Sequence, residues 1–148
     1  NELGTISIMH YPQKHGSVGF VLDKMDVIIA EDNEIIANGF ATGDLGHIDE
    51  DGFLFVTGRK KETIIAGGWK IMPYEVEKAL LESGASDAVV FGYDEVYAEV
   101  VGKVDMDILQ SKLVHYKIPV KIYQVDSIAR KGQGKINRKD LLKKYNLD

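Results

Sequence analysis

The sequence has no cysteine among its 148 residues. Disulfide bonds, thiol nucleophiles and cysteine-ligated metal sites are therefore excluded. No apolar run approaches the roughly 18 residues that a membrane-spanning helix requires, and no signal-peptide pattern opens the chain. We expect a cytoplasmic protein without a membrane span, and the lack of cysteine fits that location.

Positive charge is also in short supply. The chain has 18 Lys and Arg against 23 Asp and Glu, a formal net charge of −5, which argues against general nucleic-acid binding. The four histidines are scattered without metal-ligand spacing. With 45% hydrophobic and 28% charged residues, the composition is that of a globular chain that forms one medium or two small domains.

The stretch from residue 42 to residue 77 combines two turn-forming clusters, a basic run, a glycine pair and a helix start. The Asp44 carboxylate is flanked by glycines, which let a backbone approach a ligand closely. One short strand ends in three cations, a second ends at Gly67-Gly68, and Pro73 opens a helix. Taken alone, these features are typical of a β-hairpin with a solvated basic turn, followed by an ordinary helix.

The apolar pattern changes within the basic run: before it the chain reads as strands and turns, and after it strands and helices mix. The spacing predicts a helix over 73–83 with Leu81 on its inner face and another over 106–114 with Ile108 inward. Asn137 is predicted to cap a last helix. The expected fold class is α+β, a β-rich segment and then a small domain with a β-hairpin, a short, mostly antiparallel sheet and helices on one face.

The order of these motifs resembles that of the adenylate-forming superfamily, which includes acyl-CoA synthetases, peptide-synthetase adenylation domains and luciferases. That superfamily has Thr-Gly-Asp, then Gly-Arg-x-(Lys or Asp), then Gly-x-x-(Ile or Val)-x-Pro-x-Glu-(Ile or Val)-Glu, and finally Gly-Lys-(Ile or Val). The matching segments are 42–44, 58–61, 68–77 and 134–136. The resemblance is weak before Asn38 and covers the chain from there to its end.

The resemblance implies a nucleotide site. Asp44 would accept hydrogen bonds from both ribose hydroxyls of ATP, a task that suits an ionised carboxylate because it only accepts. Arg59 would bind the ribose or phosphate side of the nucleotide with its planar fork of donors. Glu2 falls where the family has a glutamate that helps to hold the ATP magnesium. Taken as residues alone, Arg59 is an exposed hairpin cation and Glu2 an exposed terminal carboxylate.

The resemblance also implies a moving part. Lys61 stands at the hinge position, and Gly67, Gly68 and Trp69 form the loop that lines the pantetheine channel of CoA during thioester formation. Lys135 would reach the large domain, bridging the acyl carboxylate and the α-phosphate of ATP as charge builds in the transition state. On the residues alone, the lone Trp69 is typical of packing, and the basic segment around Lys135 is typical of a solvated loop and helix.

These roles describe the carboxyl-terminal part of an ATP-dependent, AMP-forming acyl-CoA ligase that works through an acyl-adenylate, with ATP, magnesium and CoA as cofactors. Residues 1–57 would end the large amino-terminal domain, and residues 58–148 would form the small mobile domain, which alternates between two half-reactions. The remaining partners would be a carboxylic acid, such as a fatty acid, and the missing amino-terminal domain. Because the chain begins inside a motif, we expect a fragment that is inactive alone.

Two other functions fit the same motifs. The chain could belong to an adenylation domain that loads a carrier protein instead of free CoA, and an assay of thiol acceptors separates these cases. It could also be a non-catalytic interaction module that inherited the fold, which a whole gene without the phosphate loop would favour.

Overall fold

The computed structural model describes residues 6–8, 14–132 and 135–147. The chain forms two compact units, Asn1–Glu62 and Thr63–Asp148. The boundary follows a short 3-10 turn, Lys60–Glu62, that continues the basic run. It therefore falls one residue beyond Lys61, the predicted hinge.

The first unit contains a six-stranded antiparallel sheet with the strand order β1-β2-β6-β5-β4-β3. Its inner strands are the longest, and the two edges of the sheet are short. The strands are β1 (Ser7–Ile8), β2 (Gly19–Val21), β3 (Val27–Ile29), β4 (Glu34–Ala37), β5 (Phe40–Ile48) and β6 (Phe53–Arg59).

Tight turns set the register of this sheet. Asn38 and Gly39 join β4 to β5 with φ values of 50° and 79°, the left-handed pair that a two-residue hairpin turn requires. Farther along β5, a Cβ atom on Gly46 would lie 2.2 Å from the Phe55 carbonyl oxygen of β6. Only glycine fits at this position, beside the β-bulge that shifts the pairing of the two strands.

The second unit begins with a two-stranded hairpin and continues into a three-stranded sheet of order β11-β10-β9. In that sheet β9 and β10 are antiparallel, whereas β10 and β11 are parallel. The elements are β7 (Ile64–Ala66), β8 (Trp69–Ile71), α1 (Pro73–Glu82), β9 (Ala85–Gly92), β10 (Val96–Gly102), α2 (Met106–Lys112), β11 (Lys121–Gln124) and α3 (Arg138–Lys144).

Both faces of this sheet are covered. Val90 of β9 packs in the same cluster as buried residues of α1 and α2, whereas its neighbours Val89 and Phe91 pack against Leu141 and Leu142 of α3. Successive strand residues point to opposite faces, so α3 lies on the face opposite to α1 and α2. The α+β class is confirmed, and the expectation of helices on one face holds for α1 and α2 only.

Two residues that the apolar spacing placed inside are exposed. Leu81 is 46% exposed on α1, and Ile108 is 42% exposed on α2, whereas their neighbours Leu80 and Leu109 are fully buried. Each of the exposed residues is about 100° around its helix from the buried neighbour. These helices thus bury a narrow stripe, which leaves the adjoining apolar position outside.

Candidate functional site

Asp44 and Arg59 lie directly opposite each other on the paired strands β5 and β6. Arg59 Nε lies 2.6 Å from Asp44 Oδ1, and the side chains are 56% and 29% exposed. The Asp44 carboxylate thus has a structural role as well, because its ion pair with Arg59 joins β5 to β6. The carboxylate is partly exposed, so it can still accept a hydrogen bond from a ligand.

The backbone that presents Asp44 is held by neighbouring side chains. Thr42 Oγ1 donates to the Ile35 carbonyl oxygen at 2.7 Å and accepts from the Asp44 amide at 3.1 Å. The Gly43 amide donates to Glu34 Oε1 at 3.1 Å. Gly43 has a φ of 76°, a left-handed conformation that glycine adopts without strain. These hydrogen bonds thus hold the backbone of the Thr-Gly-Asp segment in a fixed position for the Asp44 carboxylate.

Glu34 connects the Thr-Gly-Asp segment to the basic turn. Lys60 Nζ lies 2.7 Å from Glu34 Oε2 and 2.8 Å from Asp32 Oδ2. The hydrogen bonds that the Lys60 amine donates, first to Asp32 and then to Glu34, raise the pKa of Lys60 above its ordinary value. The Lys60 amine in turn lowers the pKa of Asp32. Glu34 was not identified from the sequence, where it follows the acidic turn at Glu31 and Asp32 and carries no signal that separates it from that turn.

The Thr-Gly-Asp segment and the basic turn line one open cavity of about 400 Å³, formed by Thr42, Gly43, Arg59, Lys60 and Lys61. Three of these residues carry a positive charge. Lys61 itself is exposed and lies in the 3-10 turn that ends the first unit. Two of these cations, Arg59 and Lys60, are already paired with carboxylates. The hinge role of Lys61 stays a prediction.

Gly67 and Gly68 form the two-residue turn between β7 and β8, with φ values of 57° and 83°. At Gly68 an added Cβ would meet no atom within 4 Å, so the left-handed backbone is what requires glycine there. Trp69 is 54% exposed and stacks on Tyr116 with 4.6 Å between ring centroids. Both rings line one cavity of the second unit, and Tyr116 was not identified from the sequence.

Lys135 is exposed, and its amine forms no hydrogen bond or ion pair with any residue in the described ranges. Its backbone is ordered by a bridge: the Lys131 amide donates to the Lys135 carbonyl oxygen at 2.7 Å, and the Lys135 amide donates back at 3.1 Å. The amine is therefore not enclosed in its own unit. Gly134, which precedes it, lies outside the described residues.

The predicted residues fall into two groups. Asp44, Arg59 and Lys61 belong to the first unit, and the hairpin glycines, Trp69 and Lys135 belong to the second. Glu2, the predicted magnesium ligand, lies outside the described residues. Within the described ranges, no cluster of three or more His, Asp or Glu residues could hold a metal ion, and no helix is long and apolar enough to cross a bilayer.

Several CoA ligases are similar to this chain in sequence. Indoleacetate–CoA ligase of Aromatoleum aromaticum is 38% identical over 69% of the chain, and 2-succinylbenzoate–CoA ligase of Listeria monocytogenes is 31% identical over 90% of it. Long-chain-fatty-acid–CoA ligase FadD13 of Mycobacterium tuberculosis is 30% identical over 90%. No protein-family model matches the chain. The chain spans 23%, 36% and 31% of the lengths of these relatives, respectively.

Solved structures agree with the sequence relatives. The o-succinylbenzoate coenzyme A synthetase of Bacillus subtilis, in complex with ATP and magnesium ion, is similar with a TM-score of 0.72 and 29% identity, over 86% of this chain and 36% of that one. A fatty acyl CoA synthetase of Mycobacterium tuberculosis has a TM-score of 0.68 and 26% identity, over 89% of this chain and 35% of that one. By sequence and by fold, the chain belongs to the adenylate-forming superfamily and corresponds to the carboxyl-terminal part of its CoA ligases.

Proposed function

We propose that the chain is the carboxyl-terminal part of an ATP-dependent, AMP-forming acyl-CoA ligase. The observation that carries this proposal is the similarity of 90% of the chain to a 2-succinylbenzoate–CoA ligase. The full enzyme would join a carboxylic acid to the α-phosphate of ATP with loss of pyrophosphate. The thiol of CoA would then displace AMP from the acyl-adenylate. A fatty acid as substrate and a cytoplasmic location are further parts of the proposal, the first supported by the name of FadD13.

The geometry supports a nucleotide-binding role for the first unit. Asp44 has one carboxylate oxygen on Arg59 and one that can accept from a ribose hydroxyl. Arg59 is more than half exposed, so its remaining donors can reach a phosphate or the ribose. Magnesium would supply charge neutralisation on the phosphates, and Glu2 is the residue we assign to it.

The second unit would supply the residues that change between the two half-reactions. We assign residues 1–57 to the end of the large domain and residues 58–148 to the mobile domain, with Lys61 as the hinge. Lys135 would place a compact positive charge where negative charge develops during adenylate formation. After rotation, the Gly67-Gly68 turn and Trp69 would face the site, where an exposed aromatic ring beside two glycines leaves room for a pantetheine arm.

The test uses the full-length protein and separates the half-reactions. Lys135→Ala is expected to lower adenylate formation, measured by ATP–pyrophosphate exchange, by about 10²–10³-fold or more, because a single electrostatic donor is lost. Thioester formation from supplied acyl-adenylate should persist. The matched control is Lys139→Ala, which removes an exposed lysine four residues away and should leave both steps unchanged.

Equal loss of both steps in Lys135→Ala, or full activity in the first step, would refute the assignment. The 148-residue chain alone should make no acyl-CoA. Measurable synthesis by it would contradict its placement as one part of a larger site.

A further inference from the structure

Strand β9 lies at the edge of its sheet, so every second residue turns its amide and carbonyl away from β10. At Val90 these outward groups are both occupied by side chains. The Val90 amide donates to Glu77 Oε1 at 2.9 Å, and the Val90 carbonyl oxygen accepts from Arg138 Nε at 2.8 Å. A carboxylate and a guanidinium thus replace the neighbouring strand that this edge lacks.

The two side chains also bind each other. Arg138 Nη2 lies 2.8 Å from Glu77 Oε1, and the side chains are only 21% and 18% exposed. The planar guanidinium can present Nε to the backbone and Nη2 to the carboxylate at once, which a lysine cannot do. Because the pair is shielded from water, its charge-assisted hydrogen bonds are stronger than those of a surface pair.

This pair holds one end of the segment that carries Lys135. Arg138 follows Lys135 by three residues and begins α3. At the other end, Arg130 makes a bidentate pair with Asp87 of β9, with N–O distances of 2.6 and 2.7 Å. An arginine therefore ties each end of the segment to the same strand, and the Lys131–Lys135 bridge closes the loop between them.

Glu77 gives the arrangement a further consequence. It lies on α1, which begins two residues after β8 of the Gly67-Gly68 hairpin. Through Arg138, α1 is thus joined to the Lys135 segment on the opposite side of the β9 edge. The pair holds two functionally distinct segments in one fixed geometry within the second unit.

We propose that the Glu77–Arg138 pair positions Lys135 for adenylate formation. The inference rests on the proposed role of Lys135. An exposed lysine on a short loop reaches its target only from a fixed base, and a displacement of about 1 Å can lower a rate by about 10²-fold. Glu77 and Arg138 are positioning residues, since they act on the reaction through Lys135.

The test again uses the full-length protein. Glu77→Ala removes the acceptor of both Val90 N–H and Arg138 Nη2, and it should lower kcat of adenylate formation by about 10- to 100-fold. The KM for ATP and thioester formation from supplied acyl-adenylate should change by less than about threefold, because Lys135 withdraws from the site in that step. The matched control is Glu82→Ala on the same helix, which breaks an exposed ion pair with Lys112 and should leave both steps unchanged.

Two conservative variants guard against simple unfolding. Glu77→Gln keeps an acceptor for Val90 and Arg138 and should retain most of the adenylation rate. Arg138→Lys keeps the charge near Glu77 but loses the fork that also reaches Val90, so its rate should fall between those of Glu77→Gln and Glu77→Ala. In Glu77→Ala, the backbone amides of Lys131 and Lys135 should exchange hydrogen faster than in Glu82→Ala.

A Glu77→Ala enzyme that loses both half-reactions equally, or that loses thermal stability with no change in adenylation, would overturn the inference. So would unchanged amide exchange at Lys131 and Lys135. If Lys135→Ala abolishes adenylate formation while Glu77→Ala does not, only the positioning role fails. If Lys135→Ala spares adenylate formation, the proposed function itself fails.

Discussion

The two units of the molecule differ in how far each completes its own core. In the second unit, one sheet is covered by α1 and α2 on one face and by α3 on the other. The first unit is a single sheet with no helix longer than a 3-10 turn among its described residues, and Phe40 and Ile28 of this sheet are 65% and 56% exposed. A domain needs at least two packed layers to exclude water. The second unit meets that condition by itself, whereas the described residues of the first unit form one sheet that no helix covers.

The largest expected effect comes from separating the units. Residues 63–148 alone should unfold cooperatively on heating, and Leu80→Ala, at a fully buried position, should destabilise them by about 2–5 kcal/mol. Residues 1–62 alone should show no cooperative transition, since no helix covers the sheet that their described residues form. Circular dichroism melting curves measure both. A sharp transition in residues 1–62 would remove the distinction between the units.

A buried glutamate in each unit sharpens the comparison. Glu34 of the first unit has a partner on each oxygen, Gly43 N on one and Lys60 Nζ on the other. Glu99 of the second unit is 1% exposed, and its Oε1 accepts from Lys144 Nζ at 2.5 Å and from the Tyr145 hydroxyl at 2.7 Å. Its Oε2 has no partner in the described part of the chain.

Because of these partners, we expect the same substitution to destabilise the protein more at Glu34 than at Glu99. Glu34→Leu should destabilise the first unit by about 1–3 kcal/mol, because the Gly43 amide loses its acceptor. Glu99→Leu should change stability by less than about 1 kcal/mol, since the orphaned oxygen disappears and the half-exposed Lys144 can be hydrated. Hydrogen exchange of β5 and β10 amides in the full-length protein measures each effect in its own unit. A larger loss for Glu99→Leu than for Glu34→Leu would contradict this account.

The smallest expected effect is the pH dependence of the stability that the Asp87–Arg130 ion pair contributes. The Arg130 hydrogen bonds lower the pKa of Asp87 below its ordinary value of 3.8. A carboxyl group with a depressed pKa in the folded state stabilises that state above the ordinary pKa, and the contribution is lost as the pH falls through the folded value. The stability difference between the wild type and Asp87→Asn should therefore be present at pH 6 and shrink as the pH falls below 3.8. A difference that does not vary over this range would show that the charge of Asp87 contributes nothing.

Local chemistry made much of the fold predictable. The Gly67-Gly68 turn, the helix beginning at Pro73 and the Asn137 cap, whose side chain accepts from the Lys139 amide, all follow from preferences of single residues. The motif order also predicted that Asp44 and Arg59 serve one ligand. The structure places them side by side, and their shared role stays a prediction.

Tertiary contacts account for what the sequence did not indicate. Periodicity identifies the buried side of α3 but not which sheet face it covers, because both faces of β9 are apolar. Tyr116 is far from Trp69 in sequence, so their stacking has no local signal. The partner of Glu77, Arg138, is likewise distant along the chain, and only the fold brings the two to the same peptide group of Val90.

The stack of Trp69 on Tyr116 gives the chain an intrinsic fluorescent probe at one defined place. The sequence has a single tryptophan, half in solvent at the end of the glycine turn, so all indole fluorescence of the chain arises at that one place. A molecule that slides over the exposed ring, or parts it from the phenol beneath, changes the colour and intensity of that emission.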